Sequence, residues 1–366
     1  MSLTVNWGPQ HPSSGHFRMV TTIDGDRIVK AVPKIGYTHR GIERLLENRE
    51  YIPAIPMIER FNMTDCAHMN MSWILGVEDL LGAEVPERSQ YLRTILCEIS
   101  RIASHLYNLS LYTVAIGMYT PFMWAIGDRE YFLRLAEELT GVRLAFAYML
   151  PGGVRGDVSE DLARKILKTV DYMEKRLREY NRFVYESPAI EARGRDVGML
   201  TREEALEMGA AGPVLRGSGV ALDMRKKEPY AVYDKMDFDV VSYPEGDTHS
   251  RMLVRFGEIG QSLRILRQAV KEIPEGDIDK VTKKTSTIVR TRGVPEGKTY
   301  VRCEAARGMI GLYLESHGGR RPYRAKFSSP SFRNAYILPK VFVDSPVADA
   351  PATYHSLDIW ALEMDR

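Results

Sequence analysis

Residues Glu87–Leu109 read ERSQYLRTILCEISRIASHLYNL. Within them Leu92, Ile95, Leu96, Ile99, Ile102, Ala103, Leu106 and Leu109 recur at the spacing of one apolar stripe on a helix, and Pro86–Glu87 suits its start. The stripe runs into Ile102–Gly127, a stretch without Asp, Glu, Lys or Arg. A membrane span would have to satisfy Ser104, His105, Asn108, Ser110, Thr113 and Thr120 within hydrocarbon, and would carry Pro121. A buried central helix, broken near Gly117 and restarted at Thr120–Pro121, accounts for these residues better. The chain is therefore expected to be built around a helical bundle.

Outward from that helix, Thr120–Pro121 supplies a cap and a first-turn proline for a second helix to about Gly141. Pro151–Gly152–Gly153 is a break. Ser159–Glu160–Asp161 caps a long amphipathic helix through Leu162, Ile166, Leu167, Val170, Met173, Leu177 and Tyr180. A short helix at Thr201–Met208 stops at Gly209, and a long one covers about Asp247–Ile273. Near the N-terminus, His16–Thr22 and Arg27–Val32 flank Asp24–Gly25–Asp26, a hairpin signature. Near the C-terminus, Thr299–Glu304, Ile310–Glu315 and Tyr323–Ser328 read as strands. The expected fold class is α+β and mainly helical. Its expected divisions are an N-terminal β-hairpin region (1–40), a helical bundle (41–273), a charged surface excursion (274–298) and a β-rich segment packing back on the bundle (299–366).

Composition excludes several functions. The 366 residues carry a net charge of +2, which argues against a basic nucleic-acid binder and against an acidic solvating tail. Cys66, Cys97 and Cys303 cannot pair evenly and include no C-x-x-C, so neither a disulfide framework nor a structural zinc site is expected. Met1–Gly15 lacks the basic-then-apolar pattern of a secretory signal, and a cytosolic setting fits. P-loop, dinucleotide and H-E-x-x-H fingerprints are absent. Arg216–Gly219 reads as a turn, and the basic Arg320–Arg324 as a subunit contact or solvated edge.

Three segments stand out as candidates for chemistry. Gly8–Pro9–Gln10–His11–Pro12 is a stiff loop with polar tips; read alone, it is a structural turn. Gly36–Arg40 places His39 and Arg40 ahead of Gly41, where a backbone or ligand can approach closely. Glu59–His68 mixes apolar and ionisable residues as a pocket wall or a core helix would.

In order and spacing these segments resemble the quinone-pocket (49-kDa-type) subunit of respiratory complex I, the relative of the nickel–iron hydrogenase large subunit. The resemblance continues through Glu84–Leu106, YTPFMWAIGDRE (Tyr119–Glu130), PGGVRGD (Pro151–Asp157), LRGSGV (Leu215–Val220), DTHSRMLVR (Asp247–Arg255), EAARG (Glu304–Gly308), Ser316–Phe332 and the terminal MDR. It implies the hydrogenase large-subunit-like bundle with β elements at both ends. It further implies an acceptor cavity beside the [4Fe–4S] cluster of a small partner subunit, with other peripheral-arm and membrane-arm subunits around it. The chain would sit peripherally at the cytoplasmic face of the plasma membrane and bind no cofactor of its own. NADH, ferredoxin or deazaflavin would drive reduction of a quinone or related carrier, coupled to ion translocation; no nucleic acid is implied.

The same resemblance marks departures. Asn62, Asp65, Trp360 and Glu363 stand where a nickel–iron centre would need four thiolates, so hydrogenase chemistry is excluded and no metal is expected. The family's quinone-binding Tyr falls on Met63, which cannot donate a proton. Its His falls on a gap beside Gly15, with His16 out of register, and the Asp paired with that His falls on Ala115. A His near the cluster falls on Ala145, while Arg40 is retained. The implied acceptor pocket comprises Gly8, Pro9, Gln10, His11, Pro12, Met63 and Ala115; the cluster-adjacent set is His39, Arg40, Arg60 and Ala145. Candidate replacement proton donors are His11, His16, Asp65, His68 and Tyr119. The alternatives are a sulfur-reducing relative of complex I without quinone chemistry, and a structural or coupling subunit whose cavity is vestigial. Cys66 is expected to be a small buried residue.

Overall fold

The computed structural model describes residues 2–11 and 15–366, with only the backbone of Asp279. The helix predicted from the apolar stripe runs over Glu87–Ala115. Every stripe residue is buried, and so are Arg93, Glu98, Arg101, Ser104, His105 and Asn108 on its other faces. A helix buried all round carries its polar groups inside the protein, where Arg93 bonds Glu78, His105 meets Glu258 and Asn108 bonds His355 O, and it packs against four neighbouring helices. These are the helices Cys66–Leu81, Tyr119–Thr140, Thr248–Glu272 and Ala350–Leu357. The chain leaves the central helix at Gly117, whose φ of 85° suits glycine. Met118 N–H then bonds back to Thr113 O at 2.9 Å before the next helix begins. Among the described residues no helix is long and apolar enough to cross a membrane.

The Thr248–Glu272 helix starts with a reciprocal cap: Ser250 N–H donates to Asp247 Oδ1 at 2.7 Å, and Asp247 N–H to Ser250 Oγ at 3.0 Å. It packs on Glu160–Tyr180, which Ser159 caps by accepting from Leu162 N–H at 3.1 Å.

Three small antiparallel sheets flank the bundle. The first joins β1 (Leu3–Trp7), β2 (Arg18–Asp24) and β3 (Arg27–Lys34), with Asp24–Gly25–Asp26 at the β2–β3 turn as the sequence indicates. The short pair β4 (Met149–Leu150) and β5 (Gly153–Val154) closes over Pro151–Gly152. The third sheet orders β6 (Gly297–Ala305), β7 (Gly308–Ser316) and β8 (Arg324–Ser328). Between β6 and β7 a two-residue turn, Ala306–Arg307, carries Arg307 into the interior.

The chain ends meet. Phe17, Met19, Ile28 and Ala31 of the N-terminal sheet region share an apolar cluster with Leu338, Val341, Phe342, Tyr354 and Leu357. Ile28 N–H also bonds Ser345 O at 3.1 Å, and Asp344 N–H bonds Ile28 O at 2.9 Å. Two segments differ from expectation. Residues 274–298 contain a helix, Asp279–Thr291, whose Thr282 and Ser286 are buried against Gly152 and Pro151. The segment 299–366 is β only to Ser328, and short helices follow from Pro330 to Asp365. Pro330, Pro339 and Pro351 open three of those helices within their first two positions, a role proline plays as readily as that of strand breaker.

Candidate functional site

The four positions that resemble metal thiolates are brought together from the two ends of the chain. Asn62 and Asp65 lie in the turn before the Cys66–Leu81 helix; Trp360 and Glu363 lie at the start of Ala361–Asp365. Asn62 Nδ2 donates to Glu363 Oε2 at 2.8 Å, and Ser331 N–H donates to Glu363 Oε1 at 3.0 Å. Arg307 Nη1 reaches Thr64 Oγ1 at 2.9 Å and Ser104 Oγ at 3.2 Å, while its Nη2 pairs with Asp358 Oδ1 at 2.9 Å. Burial raises the Glu363 carboxyl above its ordinary value, although Arg307 opposes the rise. Amide, carboxylate and guanidinium groups thus satisfy one another here; this donor set does not fit a nickel–iron centre.

Asp65 and His68 are buried and belong to this interior network rather than to a pocket wall. Asp65 accepts from His68 Nδ1 at 2.5 Å and from Ala306 N–H at 2.7 Å. Burial alone would raise the Asp65 carboxyl, but His68, Arg101 and the Ala306 amide hold it well below the usual carboxylate range. The network extends through Arg101 and Glu98 to Arg225, and through Arg216 to Glu258 and Glu304. Arg216 is fully buried at the end of the short helix Pro213–Arg216, and the turn read from the sequence follows it at Gly217–Gly219.

Beside Arg307 lies a cavity of about 280 Å³ walled by His16, Tyr107, Leu111, His355, Asp358 and Trp360. Tyr107 and Leu111 are one helical turn apart on the central helix, and Ala115 continues that face by another turn. The Tyr107 and Trp360 rings meet edge-on with centroids 6.3 Å apart, and the Arg307 guanidinium lies 5.5 Å from the Trp360 ring. Burial, with the nearby His11 adding to it, pushes the His355 imidazole down to about 4, so it is neutral at neutral pH. His16 is exposed at the rim. His11 stacks on Trp7 with ring centroids 5.6 Å apart; Gly8 and Pro9 are half-buried and Gln10 is exposed. Pro12 lies outside the described residues. Tyr119 is 68% exposed at its helix start and is not part of the cavity lining.

None of the four residues expected beside a cluster, His39, Arg40, Arg60 and Ala145, lines this cavity. Arg40 Nη2 donates to Arg60 O at 2.8 Å, and Arg60 Nη1 to Pro56 O at 2.6 Å. The Gly36–Arg40 loop is held by the penultimate residue of the chain. Asp365 accepts from Gly36 N–H at 2.9 Å, and from the Thr38 N–H and hydroxyl at 2.8 Å each. His39 Nδ1 contacts Asp365 O at 2.6 Å. Met63 is 37% exposed. Behind Ala145, the buried Glu59 carboxylate accepts from Ala147 N–H at 2.8 Å and from Asn70 at 3.0 Å; burial nevertheless pushes it up to about 7. Cys66 is buried as expected, with its thiol pushed up by burial and by Glu59, so it is unreactive.

His355, Asp358, Tyr107, Arg307 and Glu59 were not singled out as site residues from the sequence. The signals were present: Tyr107 extends the uncharged run one turn before Leu111, and Arg307 sits in the glycine-ended EAARG segment.

The family model described as respiratory-chain NADH dehydrogenase, 49 Kd subunit, matches residues 115–366. Among curated relatives, an NADH-quinone oxidoreductase subunit from Desulforamulus reducens is 40% identical over 362 residues, covering 99% of this chain and 97% of the relative. The equivalent subunit from Geobacillus kaustophilus is 41% identical over 365 residues, covering 99% and 98%. Among solved structures, a chain of the membrane-bound sulfane sulfur reductase, an archaeal respiratory membrane complex, superposes with a TM-score of 0.95 at 34% identity. That match covers 100% of this chain and 98% of that one. Sequence and architecture thus agree along nearly the whole length: the chain belongs to the 49 kDa subunit family of the respiratory-chain NADH dehydrogenase and is a peripheral-arm subunit of a complex I-like oxidoreductase.

Proposed function

We propose that this chain forms the acceptor end of the electron path in its complex, and that the cavity at Trp360 takes a lipid-soluble carrier of the quinone class. Electrons would arrive from a [4Fe–4S] cluster in a small partner seated on the Arg40–Arg60 face. Membrane-arm subunits would complete the assembly at the cytoplasmic side of the membrane. The cavity is the observation that carries this reading: two aromatic walls, Tyr107 and Trp360, suit a flat ring, and two imidazoles, His16 and His355, share the space with it. Reduction of both carbonyls to hydroxyls takes two electrons and two protons; in place of the family's Tyr and His–Asp pair, His16 at the rim would be the imidazole that hands on a proton, and His355, held neutral, would orient the ring by a hydrogen bond. The test is short-chain quinone reduction by the purified complex, driven by reduced ferredoxin or NADH. Trp360→Ala should raise KM about tenfold by removing the ring's contact area, with the clusters still reducible. An unchanged KM counts against the cavity.

Met63 favours a second reading. A half-exposed thioether stands where the family has a proton-donating Tyr, and the sulfane sulfur reductase chain shares the fold along its full length. Reductive cleavage of a sulfur–sulfur bond releases thiolate-type anions, which are stable near neutral pH without a protein donor. Turnover of a polysulfide by the complex, with no quinone reduction, would select that acceptor.

A further inference from the structure

The helices Glu87–Ala115 and Thr248–Glu272 face each other with polar side chains over part of their length. His105, Asn108 and Tyr112 share one face at helical spacing, and Arg255 and Glu258 lie opposite, with His105 Nε2 3.0 Å from Glu258 Oε2. All five are buried. Hydrogen-bond accounting does not close in this seam. His105 Nδ1, Asn108 Oδ1, Tyr112 Oη, Arg255 Nε and Nη2, and Asp358 Oδ2 have no hydrogen-bond partner among the described residues. Arg255 keeps one bond, from Nη1 to Arg251 O at 2.9 Å, and its Nε stands 4.0 Å from Asp358 Oδ2, an ionic contact too long for a direct hydrogen bond.

Unpartnered buried atoms occur elsewhere among the described residues too, at Tyr51, Asn70 and Arg333 among others; what marks the seam is that six of them sit on neighbouring residues, although full pairing is possible there. One turn away, the equally buried Arg251 donates to Ser356 Oγ, Gly246 O, Gly198 O and Thr248 Oγ1 at 2.9–3.1 Å. Buried polar atoms are as a rule paired with protein or with ordered water, and here donors and acceptors without protein partners line the same seam.

The seam has two ends. Asp358 lines the acceptor cavity, and its own backbone is strained, with φ 52° in the left-handed region. At the other end Gly194 lets Tyr112 and His249 approach: a Cβ there would stand 3.0 Å from Tyr112 Oη and 3.1 Å from His249 Cβ. His249 Nδ1 also has no partner among the described residues, and the half-exposed ion pair Arg195–Glu191 lies near His249, at the surface.

We propose that ordered water threads this seam from His249, past Tyr112 and Arg255, to Asp358, and carries to the acceptor cavity the protons consumed when the acceptor is reduced. The inference rests on the acceptor reading above. Each quinone-class molecule receives two electrons from the iron–sulfur chain and two protons, its two carbonyl oxygens becoming hydroxyls. The seam passes protons by exchange along its waters, so each proton delivered at Asp358 is replaced at His249 and no protein group is consumed. Arg255 stays charged and orients the water through its unpartnered Nε and Nη2; it is a positioning residue.

The experiment uses the assembled complex with a short-chain quinone as acceptor. If the unaltered complex reduces no quinone, the acceptor reading falls and the seam's task with it; if it does, the variants judge the seam by itself. Tyr112→Phe keeps the ring and removes one hydroxyl from the seam. Loss of a proton-transfer partner should lower kcat about fivefold or more, raise the solvent deuterium isotope effect, and leave KM and cluster reduction unchanged. An unchanged kcat and isotope effect would overturn the proposal. Should that variant fail to assemble, His249→Gln at the outer end decides: its kcat should fall and recover on adding imidazole. A rate that does not fall, or a loss that imidazole leaves untouched, rejects the seam.

Discussion

The side-chain amide of Asn62 donates to the Glu363 carboxylate at 2.8 Å, joining positions 301 residues apart. Both residues are buried, and Arg307 Nη1 stands 3.3 Å from Asn62 Oδ1, tying the pair into the interior network. Glu363→Ala would leave Asn62 Nδ2 and Ser331 N–H without acceptors, a cost of about 2–4 kcal/mol. Combined with Asn62→Ala, the loss should be less than additive by about 1–2 kcal/mol. Unfolding midpoints of the purified complex and its two single and one double variants measure both quantities.

Glu59 should make stability depend on pH. Burial raises its carboxyl in the folded chain to about 7, above the unfolded value of 4.5, so the folded state binds this proton more tightly. Its contribution is fully present below the unfolded value and is lost as pH rises through about 7. Between pH 5 and 8 the complex should lose about 3 kcal/mol from this group. Glu59→Gln should flatten that dependence, and unfolding midpoints of the two proteins compared across this range would reveal it. Parallel pH profiles would mean that Glu59 does not titrate there.

Gly308 is a close-approach glycine. A Cβ there would lie 2.6 Å from Gly212 N and 2.8 Å from Gly212 Cα, and its φ is 128°. Gly308→Ala must push two backbones apart behind Arg307, at a cost of about 3 kcal/mol or more. Gly318→Ala is the control: its φ is 82° but nothing lies within 4 Å of the added atom, so only the conformational cost of about 1–2 kcal/mol applies. Thermal unfolding of the two variants should rank them in that order.

Arg40 remains a cation although partial burial lowers its pKa from the ordinary value. If a [4Fe–4S] cluster docks on this face as proposed, Arg40→Met should lower its midpoint potential by an amount on the order of tens of millivolts, because the removed charge favours the reduced state. A redox titration followed by electron paramagnetic resonance gives the value, and an unchanged potential removes Arg40 from the cluster's surroundings.

The amino-acid sequence by itself determined the central helix, the break at Gly117, the Asp–Gly hairpin and the family, because helical periodicity, glycine punctuation and ordered motifs are local properties of a chain. It also excluded a nickel–iron centre, since the thiolates are missing wherever the chain folds. The helices after Ser328 were not legible in advance: proline opens a helix or ends a strand with equal ease, and packing against the N-terminal sheet decided between them. The site was decided by tertiary structure alone. The candidates were separated: Asp65 and His68 went to the interior, while His16 went to a cavity rim with Trp360 and His355 from the other end of the chain. Pattern along a chain records which face of an element is apolar; which distant polar groups then share one buried space depends on how those faces close, and that fixes where a charge is paired, displaced in pKa or left facing water.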